Sequence, residues 1–386
     1  MVLVRGVSAK EIFDSRKEKT ISVSVKTKGG DFSASAPNGK SKGKHEAKPY
    51  KKSLEDDIKT LKKFSDYFSR ENIDEFDDLR RIDDTVDGHI GANTLFALQS
   101  AILKAMAKEQ KKEIWELINP NAKKFPRIVG NCIGGGKHSS SERKPDFQEF
   151  LLIPKTNSVK EAFEINLKAK KDAKEFLKKA DEKFEGRKTD EDAWQTALNE
   201  KEVLEVLNNL KIPLGVDIAA SEFYKRKNYN YKNPLLKRTN EEQFRYVSNL
   251  IKNLNLFYIE DSFGEDDFES FAKLLKKFPE KLIVGDDLTT TNYKRFKKAV
   301  EMKSINAIII KPNQIGSLTE MKRVCELADK NNIKKVFSHR SGETEESILA
   351  DLAFGFQADF FKSGITGKER EVKIKRLIEI EKNLNK

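Results

Sequence analysis

The sequence predicts an α/β protein in which a parallel (β/α) barrel fills the C-terminal part and a smaller α+β domain precedes it. Two observations carry the barrel. Short apolar runs, Ile283-Val284-Gly285, Ile308-Ile309-Ile310 and Val336-Phe337-Ser338, alternate with stretches of helical spacing such as Phe296, Ala299, Val300 and Leu318, Met321, Val324, Leu327. The repeating unit is therefore strand then helix, and the sheet parallel. Each run also ends on a functional side chain, Asp286, Lys311 or His339, and the same form recurs at Leu214 to Asp217, Phe257 to Glu260 and Asp359 to Lys362. In a (β/α) barrel the C-terminal strand ends open on one face, so Asp217, Glu260, Asp286, Lys311, His339 and Lys362 converge there. One such residue ordinarily marks only the place where a buried strand meets solvent; six in succession read as a site. Three carboxylates suit a hard divalent cation such as Mg²⁺, with two lysines of shifted pKa beside it.

The preceding chain is patterned differently. Residues 1–36 read as a β-meander: Ile21, Val23 and Val25 alternate with polar residues, and Lys28-Gly29-Gly30 turns the chain back. The polar, cationic stretch Pro37 to Lys44 reads as a loop with a weak suggestion of phosphate contact. Leu54, Ile58, Leu61, Phe64 and Phe68 mark one helix, and Ala92 to Lys108 a second. Asn119-Pro120-Asn121 then sets the junction, giving an α+β domain over residues 1–120 and a barrel over 121–386. At the start of the barrel, Gly134-Gly135-Gly136 implies a sharp bend with close backbone approach, and Gln148-Glu149 opens a strand as an apparent edge detail. A long helix follows from Ser158 to about Lys183, while Thr189 to Trp194 carries no compositional signal.

Composition removes several function classes. With 37% hydrophobic residues and no apolar run long enough to span a bilayer, no membrane segment is expected, and the N-terminus lacks the pattern of a signal peptide, so a cytoplasmic protein is expected. Cys132 and Cys325 have no metal-ligand spacing and read as small buried hydrophobes. The net charge of +12 is spread along helical faces among acidic residues, without an aromatic-basic stripe; a solvated surface is expected rather than a nucleic-acid partner.

The motif wording resembles enolase, the phosphopyruvate hydratase family. The matches are Asp14-Ser15-Arg16, Gly91-Ala92-Asn93, Asp217 to Tyr224, Ile259-Glu260-Asp261, Gly285 to Thr289, Lys311 to Gly316 and Ser338 to Glu345, and they run from about residue 8 to about residue 382. The resemblance implies a modified eight-stranded TIM-type barrel with an N-terminal α+β capping domain. It implies Mg²⁺-dependent, reversible dehydration of 2-phosphoglycerate to phosphoenolpyruvate, in glycolysis and gluconeogenesis, by a homodimer. Two Mg²⁺ per active site are implied, the first on Asp217, Glu260 and Asp286, the second arriving with substrate and reached by Ser41 of a closing loop. Lys311 is implied as general base, Glu191 as general acid with Glu149 beside it, and Lys362 as the partner of the substrate carboxylate. His138, His339, Gln148, Arg340 and Ser341 line the pocket, with Arg340 and Ser341 on the phosphate.

The chain departs from the family pattern at identifiable places. The closing loop, usually Ser-Gly-Ala-Ser-Thr-Gly, reads Asn38-Gly39-Lys40-Ser41-Lys42-Gly43; the acid segment, usually Gly-Asp-Glu-Gly-Gly, reads Thr189-Asp190-Glu191-Asp192-Ala193. His138 and Glu149 stand about two residues further apart than usual. Lys382 replaces an acidic residue that in the family joins subunits through the Arg of Asp-Ser-Arg. These departures leave a second expectation open, an enolase-like protein of impaired activity with a structural or binding role.

Overall fold

A computed structural model of the chain describes residues 2–40, 43–68 and 72–384. Its N-terminal part is the expected meander: strands Gly6–Phe13, Lys19–Thr27 and Gly30–Ser35 pair antiparallel in sequence order. Alternation buries Ile21, Val23 and Val25, and Gly30 supplies the positive φ of 128° that the tight turn requires. Helix Ala92–Gln110 packs across this sheet, burying Ala97, Leu98, Ala101, Ile102 and Ala105 completely. Its N-terminus is fixed by Asp57, whose carboxylate accepts from the Gly91 amide at 2.8 Å and from Thr94 Oγ1 at 2.6 Å. It ends where Lys111 turns left-handed.

Eight strands then close a barrel: β1 (Arg127–Gly134), β2 (Glu149–Leu152), β3 (Leu214–Asp217), β4 (Tyr258–Glu260), β5 (Leu282–Gly285), β6 (Ala307–Ile310), β7 (Lys334–Ser338) and β8 (Phe360–Gly364). From β3 onward the strands are parallel, as the periodicity implies. The first two differ, because β2 runs antiparallel to both β1 and β3. That reversal puts the N-terminal end of β2 on the same rim as the C-terminal ends of the others. Glu149 is thereby the cross-strand partner of Asp217, which is the partner of Glu260. Gln148-Glu149 is a rim element, not an edge detail.

The barrel interior is filled by alternate residues from the strands, including Val129, Leu151, Tyr258, Val284, Ile309, Val336 and Phe360. At its floor the Arg127 guanidinium lies 5.2 Å from the Phe257 ring centroid and 5.5 Å from that of Phe360. A small antiparallel sheet, Tyr224–Lys225, Asn228–Lys232 and Leu235–Arg238, interrupts the βα alternation after β3 and was not expected from periodicity. The N-terminal domain docks on the barrel rim through the motifs that sequence singled out. Asn38 and Gly342 exchange backbone hydrogen bonds of 2.7 and 2.9 Å, and Asn313 donates to Asn93, which donates to Asn38. A Cβ on Gly342 would lie 2.2 Å from Asp14 Oδ2, so only glycine permits this approach.

Candidate active site

The strand-end prediction can be checked residue by residue. Asp217 and Glu260 close β3 and β4, Lys362 lies in β8, and Asp286, Lys311 and His339 each stand one residue beyond β5, β6 and β7. All six stand at the rim, five buried and Lys311 partly buried, and with His138, Gln148, Glu149, Glu191, Arg340 and Ser341 they surround a cleft of about 420 Å³, Glu260 alone lying just beneath its lining. Twelve of the thirteen expected site residues are thus brought together. The remaining one, Ser41, lies outside the described residues.

Lys362 is the electrostatic centre. Its Nζ donates to Glu260 Oε1 and Oε2 at 2.8 and 2.9 Å and to Asp217 Oδ2 at 3.0 Å, with Glu149 Oε2 at 3.3 Å. Burial opposes its charge, but Asp217, Glu149 and Glu260 outweigh burial and raise its pKa well above the usual lysine value. One ammonium does not neutralise this many carboxylates. Burial and the Asp217 charge push Glu260 well above the carboxylate range despite Lys362. Next to it, Asp286, Asp261 and Asp287 bring carboxylate oxygens within 4.8 Å of one another. Asp261 accepts from the Asp286 and Asp287 amides at 2.9 and 2.7 Å, fixing both. Uncompensated, all-oxygen negative charge of this kind fits a hard divalent cation. Asp217 is oriented for it by the Ala219 amide at 3.0 Å, and Glu260 by Tyr258 Oη at 2.6 Å, a supporting layer beneath the rim.

Lys311 donates to Asp286 through Nζ, and its own amide donates to Thr291 Oγ1 at 3.0 Å. Its pKa is raised: burial works to lower it, but Asp286 prevails. The neighbouring cations Arg340 and Lys362 act in the lowering direction, and the Asp286 contact outweighs them.

The other wall of the cleft is built from loops. Glu191 accepts from Asn131 Nδ2 of β1 at 2.9 Å and faces His138 Nε2 at 3.7 Å and His339 Nε2 at 3.6 Å. His138 is held from behind by Asp190, Nδ1 to Oδ1 at 2.7 Å. Burial would raise Glu191, yet the His138 and Arg370 charges and the Asn131 hydrogen bond hold it below the usual carboxylate range. Glu149, within 4.8 Å of Glu191 and His138, is raised well above that range, by burial foremost and by the Glu191 and Asp217 charges, against Lys362. Two neighbouring carboxyls are thus driven apart, Glu149 toward the protonated and Glu191 toward the ionised form. His339 is pushed well below its ordinary value by burial, so it is a neutral imidazole.

Arg340 and Ser341 form the third wall. The Arg340 fork is buried against Glu46, at 2.9 and 3.1 Å, and Asn313 Oδ1, at 3.2 Å. Ser341 Oγ accepts from the Lys40 amide at 2.8 Å and Arg16 Nη1 at 3.0 Å, which leaves its own proton free to donate.

This geometry could hold a divalent cation and an anion at a barrel mouth, and comparison with known proteins shows the family. Residues 122–386 match the family described as the enolase C-terminal TIM barrel domain, and residues 4–118 the enolase N-terminal domain. The chain belongs to the enolase family. It is 36% identical to the enolase of Methanosphaera stadtmanae, over 99% of this chain and 97% of that protein. The enolase of Archaeoglobus fulgidus is 34% identical over 100% and 98%, and that of Pyrobaculum aerophilum 33% over 98% and 96%.

Several site residues went unseen in the sequence. Asp261 and Asp287 are the second acids of Glu260-Asp261 and Asp286-Asp287, and that doubling was a usable signal. Glu46, Asn131, Asp190 and Arg370 carried none. They reach the enolase-type cleft from a loop, a strand interior, a turn and the last helix, and only the fold brings them together.

Proposed function

We propose that this protein is an active enolase, dehydrating 2-phosphoglycerate reversibly to phosphoenolpyruvate and water. The observation that carries the reading is the disposition of base and acid: β6, followed by Lys311, lies four strands round the closed barrel from β2, whose Glu149 stands within 4.8 Å of the acid Glu191, so base and acid face each other across the cleft. Elimination needs a base at carbon 2 and an acid at the hydroxyl of carbon 3, on opposite faces of one small substrate. The impaired alternative is not favoured, since each charged role has a residue to fill it.

Lys311, neutral when it acts, takes the carbon 2 proton. The charge so created spreads onto the substrate carboxylate, where Lys362 stands ready as a fixed cation. Arg340 and Ser341 hold the phosphate, the guanidinium exchanging Glu46 for phosphate oxygens of similar geometry. Glu191, with Glu149 beside it and His138 between it and Asp190, delivers a proton to the departing hydroxide. His339 and Gln148 complete the wall against the substrate. Asp217, Glu260 and Asp286 would hold Mg²⁺, and Ser41 would be a ligand of a second ion bound with substrate; these ions would supply Lewis-acid charge that stabilises the ionised substrate.

Cytoplasmic residence belongs to the reading and is supported by Cys132 and Cys325, both buried and unpaired. A homodimer belongs to it as well, supported by Phe13, exposed on the edge strand Gly6–Phe13. Arg16, the residue of the family's subunit contact, is engaged by Ser341 and Glu18 within its own chain. The test is formation of phosphoenolpyruvate, followed by its ultraviolet absorbance, from 2-phosphoglycerate and Mg²⁺. Product that disappears on chelation supports the reading; no product at any Mg²⁺ concentration contradicts it.

A further inference from the structure

The turn that carries Glu191 is held in an unusual way. Asp192 adopts a left-handed φ of 63°, a conformation that costs a residue with a Cβ and is normally left to glycine. Around it, Lys170 Nζ bonds the Asp192 carbonyl and reaches its Oδ2 at 3.1 Å, Lys188 Nζ reaches Oδ1 and Oδ2 at 2.8 and 3.0 Å, and Thr366 Oγ1 donates to Oδ2. Lys170 comes from helix Val159–Ala180 and is buried, and Thr366 follows β8, so the clamp joins three parts of the barrel. The turn is also pressed against two strands. A Cβ on Gly134 would lie 2.7 Å from Thr189 Cγ2, and one on Gly364 2.7 Å from the Glu191 carbonyl oxygen.

Among the described residues Glu191 itself has one short side-chain hydrogen bond, to Asn131; its contacts with His138 and His339 are 3.7 and 3.6 Å. Its aim into the cleft therefore depends on the backbone one residue away. We propose that Asp192, with Lys170, Lys188 and Thr366, is a positioning device for Glu191: the ionic clamp stabilises the left-handed turn that points the acid at the substrate. The proposal rests on the role given to Glu191 above. It makes Asp192 a positioning residue, since its carboxylate is turned away from the cleft toward the clamp.

The test compares the full-length wild type with Asp192→Ala, Lys170→Met, Lys188→Met and the double variant Asp192→Ala/Lys170→Met, measuring kcat, KM, thermal melting and Trp194 emission. Trp194 is a built-in reporter, because Lys170 and Lys188 each lie 5.6 Å from its ring centroid and its Nε1 donates to the Lys170 carbonyl at 2.8 Å. Asp192→Ala is expected to lower kcat roughly ten- to a hundredfold with KM unchanged, the cost of a misplaced catalytic group. Trp194 emission should shift in parallel. The double variant should be no worse than the worse single one, because both break the same clamp. Lys188→Met, at the exposed end, keeps the test available if Lys170→Met fails to fold, and should show a smaller effect of the same kind. An Asp192→Ala protein with wild-type kcat, or losses that multiply in the double variant, overturns the proposal. If the wild type makes no phosphoenolpyruvate, the activity reading fails instead, and an Asp192→Ala protein with unchanged Trp194 emission still overturns the clamp.

Discussion

Two of the cleft's walls, the strand-end rim and the loop wall opposite it, are built on different principles. On the rim, Asp217, Glu260, Asp286, Lys311 and Lys362 sit at strand ends whose spacing is set by the parallel register of the barrel, and each is braced by a neighbouring strand or by the layer below. Across the cleft, Glu191, His138 and Lys40 sit on turns and loops, and hold their places through chain-specific ion pairs such as Lys40 with Asp190 at 3.0 Å and the clamp on Asp192. Sheet register fixes the wall proposed to take a proton from carbon; side-chain electrostatics fixes the wall proposed to release hydroxide. A site can therefore keep its rim unchanged while its loops are rewritten, provided new contacts restore the loop geometry.

The largest effect that tests this contrast comes from the rim. Lys311→Ala should lower kcat by about 10²- to 10⁴-fold or more, with the thermal transition almost unmoved; a comparable loss of folding would mean the rim is structural. Glu191→Gln should cost about 10²-fold in the forward reaction, and should leave Mg²⁺ binding, read by isothermal titration, as in wild type. Next comes Gly39→Ala. A Cβ there would lie 1.8 Å from Arg340 Nη2, displacing a fork that Glu46 and Asn313 otherwise fix. Losing one charge-assisted contact to phosphate should raise KM by roughly tenfold, with a smaller change in kcat. The smallest effect is expected at Lys40→Met, because its partly exposed ion pair with Asp190 contributes at most about 1 kcal/mol. A large loss there would show that closing the loop, rather than the rim, governs turnover.

How much of this was legible follows the same division. The later strands, and with them Asp217, Glu260, Asp286, Lys311, His339 and Lys362, could be read because a buried parallel strand is a continuous apolar run with an abrupt polar end. The first two strands could not, because β2 runs antiparallel and its functional residues stand at its beginning. Glu149 therefore had no meaning in periodicity and gained one only through motif resemblance. Thr189 to Ala193 was silent for a stronger reason: its geometry depends on Lys170 and Thr366, distant in sequence, and no local pattern announces a left-handed aspartate. The Tyr224–Arg238 sheet was missed although Tyr229 and Tyr231 alternate onto a buried face, because strands of two to five residues are too short for that alternation to stand out from a loop.

The division of labour between the walls can be tested in one measurement, the exchange of the carbon 2 hydrogen of 2-phosphoglycerate with deuterium from solvent, followed by NMR in the presence of Mg²⁺. If Lys311 on the rim removes the proton and the Glu191 wall acts only afterwards, Glu191→Gln should still exchange this hydrogen while forming little phosphoenolpyruvate, and Lys311→Ala should do neither. Exchange that persists in Lys311→Ala, or vanishes equally in Glu191→Gln, would contradict the account.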